Sequence, residues 1–337
     1  MNGGMSLNRR IVVAGAGSIG CFVGGMYAAA GRNVALLARP RVIEDIESNG
    51  LRLTSFSGLD RRIASNRLTL SEDPSSLAEA GVVLVSVKST DTAEIAELIA
   101  RHARPDAVIV SLQNGVGNVS VLRERLPGRR VLAAMVPFNV IGLGQGRYHR
   151  ATSGDIVIEQ DGAGTADELS LPGLKIRPSR NIAGVQWGKL LVNLNNALNA
   201  LADLPLRKQL AQRDWRMLLA DQMAEGLAAV KAAGIRPLSS TPIPTSWTPP
   251  LLRLPDAVFG MLLGRTMKID PEARSSMWDD LQRGRRTEID HLQGVITAIA
   301  DRHGLQVPLS RRIVALIKCA EAAGKGSPGL TPDQIRP

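Results

Sequence analysis

The chain has 337 residues, 44% hydrophobic and 21% charged, with a formal net charge of +10. That length is too great for one ordinary core, and the composition excludes a disordered or collagen-like polypeptide, so two folded domains are expected. The basic residues fall in short groups, such as Arg61-Arg62, Arg129-Arg130, Arg283-Gly284-Arg285-Arg286 and Arg311-Arg312, and aromatics make up only 3%, so no stacking platform accompanies them; nucleic acid is not an expected partner, whereas anionic small molecules are.

The two cysteines, Cys21 and Cys319, lie far apart and in no metal-ligand spacing. They point to a reducing compartment. Met1 to Arg10 lacks the apolar stretch of a signal peptide, so a cytoplasmic location is expected. Ile11 to Gly31 is almost uncharged, but its glycines cluster after a short β-branched run, which fits a strand, turn and helix rather than a membrane span.

In chain order, Ile11 to Ala14 reads as a buried parallel strand and residues 19 to 30 as a helix of small residues ended by Gly31. Asn33 to Ala38, Val82 to Val87 and Val108 to Leu112 read as further strands, with a helix over Thr92 to Ala103. Strand-like runs follow at Val131 to Val136 and Asp155 to Ile158, then a turn at Asp161 to Gly164. This alternation predicts a Rossmann-type, doubly wound α/β domain over residues 1–180. Beyond it the pattern becomes helical: 185 to 201, 214 to 233, a long stretch from Met277 to Arg302 interrupted by Gly284, and 309 to 323. Residues 236–256 are rich in Pro, Ser and Thr and read as a loop, and Gly324 to Pro337 as a polar tail. Residues 181–337 are thus expected to form an all-α second domain, an element of the kind that supplies a homodimer interface.

The segment Gly15-Ala16-Gly17-Ser18-Ile19-Gly20 has the G-x-G-x-x-G pattern directly after a strand and at the start of a helix. Gly15 permits the tight turn, Gly17 lets backbone approach a pyrophosphate, and Gly20 allows close helix–strand packing. The helix N-terminus offers unpaired N–H groups to the phosphates. Where an acid would read the ribose 2′-hydroxyl of NAD(H), the second strand ends in Ala38-Arg39-Pro40-Arg41. Arg39 suits a 2′-phosphate and hence NADPH, unless both arginines simply face water. Lys88 and Asn114 follow the third and fourth strands, where open α/β sheets hold ligands; each taken singly reads as a loop residue.

Lys189, Asn193 and Asn196 fall at i, i+4 and i+7 of one helix and share a face, while Leu190, Leu191, Leu194, Ala197, Leu198 and Leu201 supply an apolar surface. From spacing alone, a solvent or capping role for this polar face is as good a reading as catalysis. A second polar group is Arg286 to Asp290, preceded by Ser275-Ser276-Met277-Trp278. Among the histidines, His102, His149, His291 and His303, no cluster suggests a metal.

Taken together these segments resemble the ketopantoate reductase (2-dehydropantoate 2-reductase) family: residues 11–39, Val87-Lys88, Leu112 to Gly117, Trp187 to Leu201, Ser275-Ser276-Met277 and Thr287 to Asp290, in that order along nearly the whole chain. The resemblance implies that Lys189 is the catalytic lysine and Glu288 its acidic counterpart, which also touches the cofactor. It places Asn193 and Ser276 at substrate positions, Asn114 at the cofactor–substrate junction, and Arg39 and Lys88 at the cofactor. The implied activity is NADPH-dependent reduction of ketopantoate to (R)-pantoate, in pantothenate biosynthesis. Two departures stand out. The family's second substrate asparagine commonly lies eight residues after the lysine, where this chain has Ala197 and carries Asn196 one residue earlier; Gln293 stands where Asn is frequent. They leave open another small branched 2-oxo acid as substrate, with a catalytically silent NADPH-binding sensor as the reading from a different class. No membrane partner is expected.

Overall fold

The computed structural model describes residues 9–239, 243–263 and 270–337. The chain divides into two compact units, Met1–Ile182 and Ala183–Pro337.

The first unit runs β1 (Ile11–Ala14), α1 (Ser18–Ala29), β2 (Val34–Leu37), α2 (Pro40–Asn49), β3 (Leu51–Ser55), β4 (Asp60–Ile63), β5 (Thr69–Ser71), β6 (Val82–Val85), α3 (Thr92–His102), β7 (Val108–Ser111), α4 (Asn118–Arg125), β8 (Val131–Met135), β9 (Val140–Gly144), β10 (Arg147–Arg150), β11 (Ile156–Glu159), α5 (Thr165–Leu169) and β12 (Ile176–Ser179). An eight-stranded sheet has the order β12-β11-β8-β7-β6-β1-β2-β5. It is parallel from β8 to β5, and β11 joins it antiparallel to β8. β1, β2, β6 and β7 are buried along their whole length, which is why each reads as an unbroken apolar run rather than an alternating one. The chain leaves β1 toward β2 on one side and returns to β6 on the other, so the order reverses between β1 and β6, the switch point where doubly wound sheets bind ligands.

A second sheet, β4-β3-β10-β9, has no counterpart in the expected elements. It covers the other side of α1. Gly24 of α1 sits against Leu36 and Val13 of the large sheet, and Gly25 against Leu53 and Leu51 of the small one. A Cβ on Gly24 would lie 2.7 Å from the Leu36 side chain and 3.0 Å from that of Val13, and one on Gly25 2.9 Å from Leu53 and 3.1 Å from Leu51. The helix is apolar all round because both of its faces are covered.

The second unit is helical: α6 (Ile182–Asn193), α7 (Asn195–Ala202), α8 (Leu206–Ala211), α9 (Arg213–Ala232), α10 (Thr248–Leu252), α11 (Asp256–Leu263), α12 (Ser276–Gln282), α13 (Gln293–Arg302), α14 (Pro308–Ala323) and α15 (Pro332–Ile335). Arg216 of α9 is fully buried, yet all five of its N–H donors are used. Nε donates to Leu252 O, one terminal nitrogen to Leu210 O and Ala211 O, and the other to Leu254 O and Asp256 Oδ1. Its guanidinium also stacks 4.2 Å from the Phe259 ring. One side chain thereby satisfies the open carbonyls at the ends of α8 and α10.

Four expectations are corrected here. The helix over 185–201 is interrupted at Leu194. The stretch over 277–302 is two helices, because Gly284 takes a left-handed backbone (φ +60°) and a 3₁₀ turn at Ile289–His291 follows. Within 236–256, where a loop was expected, a 3₁₀ turn at Thr245–Trp247 leads into α10, whose prolines fall in the first turn and cost no hydrogen bond; residues 240–242 lie outside the described residues. The polar tail folds back: Ser327 Oγ donates to Ala200 O, Leu330 N to Leu201 O, and Ile335 is fully buried beneath Arg312, which donates to Ile335 O and Gln334 O.

Candidate active site

In the first unit the glycine loop sits at the carboxyl end of β1. Gly15 has φ +97°, and a Cβ there would lie 2.5 Å from the Val87 side chain and 2.7 Å from its backbone nitrogen. A Cβ on Gly20 would lie 2.6 Å from both Gly15 O and Ser86 Oγ. Gly17 is different: its φ is −80°, and none of the described residues lies within 4 Å of a Cβ built there. The fold itself does not demand glycine at 17, so the open side is a place for something else. Gly17 is also the N-cap of α1 and offers no side-chain cap, so the first-turn amides, beginning at Ser18 and Ile19, are left to an incoming anion. These residues fit a dinucleotide pyrophosphate.

Arg39 caps α2 at the carboxyl end of β2, is exposed, and forms a loose ion pair, 3.7 Å, with Asp91. Asp91 belongs to the 3₁₀ turn Ser89–Asp91 that Lys88 precedes, after β6. β2 and β6 flank β1, so Arg39 and Lys88 stand on either side of the glycine loop. Asn114 follows β7 and is tied to the Lys88 loop through its backbone: Asn114 O accepts from Ser89 Oγ at 3.3 Å and from Asn118 Nδ2 at 2.6 Å. A buried polar network carries this connection further. Asn118 Nδ2 donates to Ser89 Oγ, Gln113 Nε2 donates to Val87 O and to Thr92 Oγ1, and Ser111 Oγ donates to Gln113 Oε1. Sequence reasoning missed Asp91, Gln113 and Asn118. The only available signal was that polar residues, rather than apolar ones, directly follow two buried strands.

In the second unit the polar face of α6 and α7 is resolved residue by residue. Asn195 and Asn199 turn inward: Gln209 Nε2 donates to Asn195 Oδ1, and Asn199 Nδ2 donates to Gln209 Oε1 and Leu204 O. Asn193 is only 6% exposed, yet its side-chain amide pairs with no described residue. Asn196 is the one residue of α7 that is not buried, whereas Ala197 is fully buried, so position 196 and not 197 carries the polar face onward from Asn193. Lys189 is half-buried, and loss of solvent pulls its ammonium pKa from 10.5 down to about 8. Just before it, Gly188 is overlaid by the chain at Leu238. Leu238 N donates to Gly184 O at 2.7 Å, and a Cβ on Gly188 would collide with Leu238 O.

Two other segments are fastened to this face. Ser275 caps α12 by accepting from Trp278 N, donates through Oγ to Asn196 O at 2.9 Å, and receives Asn199 Oδ1 on its own N–H. Ser276, the exposed first residue of α12, is thereby set beside Asn196. Gln293, at the start of α13, donates from Nε2 to Leu194 O at 2.8 Å. Glu288, half-buried, lies five residues earlier, held by its neighbours: Thr287 N donates to Glu321 Oε1 of α14, and Ile289 N to Thr287 Oγ1. The second unit therefore gathers Lys189, Asn193, Asn196, Ser276 and the Glu288 segment around the α6–α7 junction. The first gathers the glycine loop, Arg39, Lys88 and Asn114. Gln209, Gln293 and Glu321 were not readable as supports, because each acts across 14 to 99 residues of sequence.

Two family descriptions match the two units: "Ketopantoate reductase PanE/ApbA" over residues 11–162 and "Ketopantoate reductase PanE/ApbA C terminal" over residues 181–321. The chain belongs to the ketopantoate reductase family. It is 29% identical to the 2-dehydropantoate 2-reductase of Halobacterium salinarum, over 94% of this chain and all of that one. A PanE/ApbA family ketopantoate reductase from Ralstonia eutropha, solved by crystallography, superposes with a TM-score of 0.79 at 34% identity, covering 94% of this chain and 99% of that one. A D-mandelate dehydrogenase in ternary complex with NADH and anilino(oxo)acetate shares the fold, with a TM-score of 0.77 at 20% identity over 94% and 99% of the two chains. The protein is an oxidoreductase of the type that interconverts a C=O and a CH–OH group. No helix among the described residues is long and apolar enough to cross a membrane.

Proposed function

We propose that the protein is an NADPH-dependent reductase of ketopantoate, forming (R)-pantoate. The observation that carries this reading is the placement on one helix face of a desolvated Lys189 ammonium and the amide of Asn193, a residue only 6% exposed whose side chain makes no hydrogen bond to another described residue.

Bound NADPH supplies the hydride. Gly17 and the first-turn amides of α1 hold its pyrophosphate, and Arg39 its 2′-phosphate, with Lys88 and Asn114 on the nicotinamide side. Lys189 stabilises the negative charge that grows on the ketone oxygen and then gives that oxygen a proton from Nζ. With a pKa of about 8, the ammonium is still charged at pH 7 but is a stronger acid than a solvated lysine. Asn193, Asn196 and Ser276 offer neutral hydrogen bonds to the substrate's carboxylate and hydroxyl. Glu288 balances the positive charge of Lys189.

The test is spectrophotometric NADPH oxidation across a panel of small 2-oxo acids. Ketopantoate is expected to give the highest kcat/KM. A preference for another branched 2-oxo acid would reassign the substrate, and no turnover with any member would overturn the reading.

A further inference from the structure

We propose that Gln293 is a positioning residue for the substrate: its side chain fixes the α6–α7 junction on which Asn193 and Asn196 stand. The proposal rests on the reductase reading above and goes beyond it, since Gln293 touches neither Lys189's proton nor the cofactor loop.

Gln293 is fully buried at the start of α13, 99 residues from the carbonyl it holds. Its Nε2 donates at 2.8 Å to Leu194 O, and Leu194, whose backbone keeps helical angles (φ −55°, ψ −29°), is the residue at which α6 passes into α7. On neighbouring positions Ser275 Oγ takes Asn196 O, and the Asn195 amide is consumed by Gln209. The backbone carbonyls of Leu194 and Asn196 are therefore held by side chains from two other segments, and the Asn195 side chain by a third, while the side-chain amides of Asn193 and Asn196 are not taken up by these bonds. Gln293 also keeps a buried Oε1 with no partner among the described residues. An apolar residue of the same shape would avoid that desolvation, so what this glutamine adds is the bond its Nε2 makes. The same residue follows Glu288 by one 3₁₀ turn, so the bond to Leu194 O sets the acidic segment and the two amides in one register.

The experiment is a double-mutant cycle of Gln293→Met, which keeps length and removes the donor, with Asn196→Ala. Steady-state NADPH oxidation is measured with the best 2-oxo acid. Gln293→Met is expected to raise KM for the 2-oxo acid about ten-fold, with kcat within about three-fold and KM for NADPH unchanged. In the Asn196→Ala background it should add less than about two-fold, because the two act through one contact. An unchanged substrate KM, fully multiplicative effects, or equal losses for cofactor and substrate would overturn the proposal. Should the methionine variant fail to fold, Gln293→Glu serves in its place. A carboxylate cannot donate to Leu194 O, but a protonated carboxyl can, so the raised KM should recover on acidification, and a pH-independent KM would overturn the proposal. Should the wild-type protein turn over no 2-oxo acid, the reductase reading fails. Crystal structures of wild type and Gln293→Met then decide separately: a displaced Asn196 side chain supports the positioning role, and an unmoved one ends it.

Discussion

Gly17 and Gly20 stand three residues apart in one turn, and they are glycine for opposite reasons. A Cβ on Gly20 would be driven into Gly15 O and Ser86 Oγ, whereas a Cβ on Gly17 would meet no atom of the described residues within 4 Å. Gly20→Ala should therefore cost folding stability, about 1–3 kcal/mol as for other overpacked sites. Gly17→Ala should leave the melting temperature within about 2 °C and raise KM for NADPH about ten-fold or more. Thermal unfolding and cofactor titration of both variants check this. A Gly17→Ala protein that melts as early as Gly20→Ala would remove the argument for a pyrophosphate at position 17.

The low pKa of Lys189 makes two pH predictions. In the reduction direction the acid must be protonated, so kcat/KM should be flat below pH 8 and decline as pH rises through about 8; the reverse oxidation should rise over the same range. Lys189→Ala should lower kcat by about 10²–10⁴-fold and abolish that inflection. Stability moves differently. The folded-state pKa lies below the ordinary value of 10.5, so keeping this group charged opposes folding fully below pH 8, and the penalty fades between 8 and 10.5 as the folded protein sheds the proton first. Lys189→Met should be more stable than wild type at pH 7 and lose that advantage near pH 10. A stabilising effect that does not change with pH would show that burial of the charge is not its cause.

Cofactor choice should turn on Arg39. It is exposed at the carboxyl end of β2, and the Asp91 carboxylate 3.7 Å away is too loosely held to compete with a dianionic phosphate. Arg39→Asp should raise KM for NADPH by about 100-fold while leaving that for NADH within a few-fold. Comparable use of NADH and NADPH by the unmodified protein would count against this assignment.

Arg216 should be among the most sensitive structural positions in the second unit. Arg216→Met leaves Leu210, Ala211, Leu252 and Leu254 carbonyls without their donor, and at about 1–3 kcal/mol per buried group the loss should be about 3 kcal/mol or more. Urea denaturation measures it. A loss under about 1 kcal/mol would mean that water replaces the guanidinium at little cost.

Much of the first unit was legible because its strands are buried on both faces and write themselves as runs such as Ile11-Val12-Val13-Ala14. The second sheet was not. β4 is Asp-Arg-Arg-Ile and buries only Ile63, and β10 buries only Tyr148, so neither carries the apolar signal of a strand. The helix bearing Lys189 was legible from its leucines, and the spacing separated Asn193 and Asn196 from Asn195 and Asn199, whose side chains turn inward to Gln209. The division into α6 and α7 was not legible, since Leu194 is as good a helix former as its neighbours and keeps helical angles itself, and the side chain bonded to its carbonyl, Gln293, lies 99 residues away. The folded tail was hidden by composition: one buried isoleucine, Ile335, anchors a segment that, apart from Leu330, is made of turn, polar and charged residues. Periodicity reports what a segment buries, and is silent on contacts that a single distant side chain makes.

Clamping α1 between two sheets also bears on how the nucleotide is received. Gly24 and Gly25 bring the helix into close contact on opposite sides, so it can neither roll nor slide without driving backbone into Leu36 or Leu53. The amides at its leading end are consequently oriented before any phosphate arrives. Cofactor capture should then need little rearrangement of the glycine loop, and calorimetry should find only a small entropic penalty assignable to ordering the protein. The mobility lost there was surrendered when the domain folded, and selection among nucleotides is left to the exposed residues around the rim.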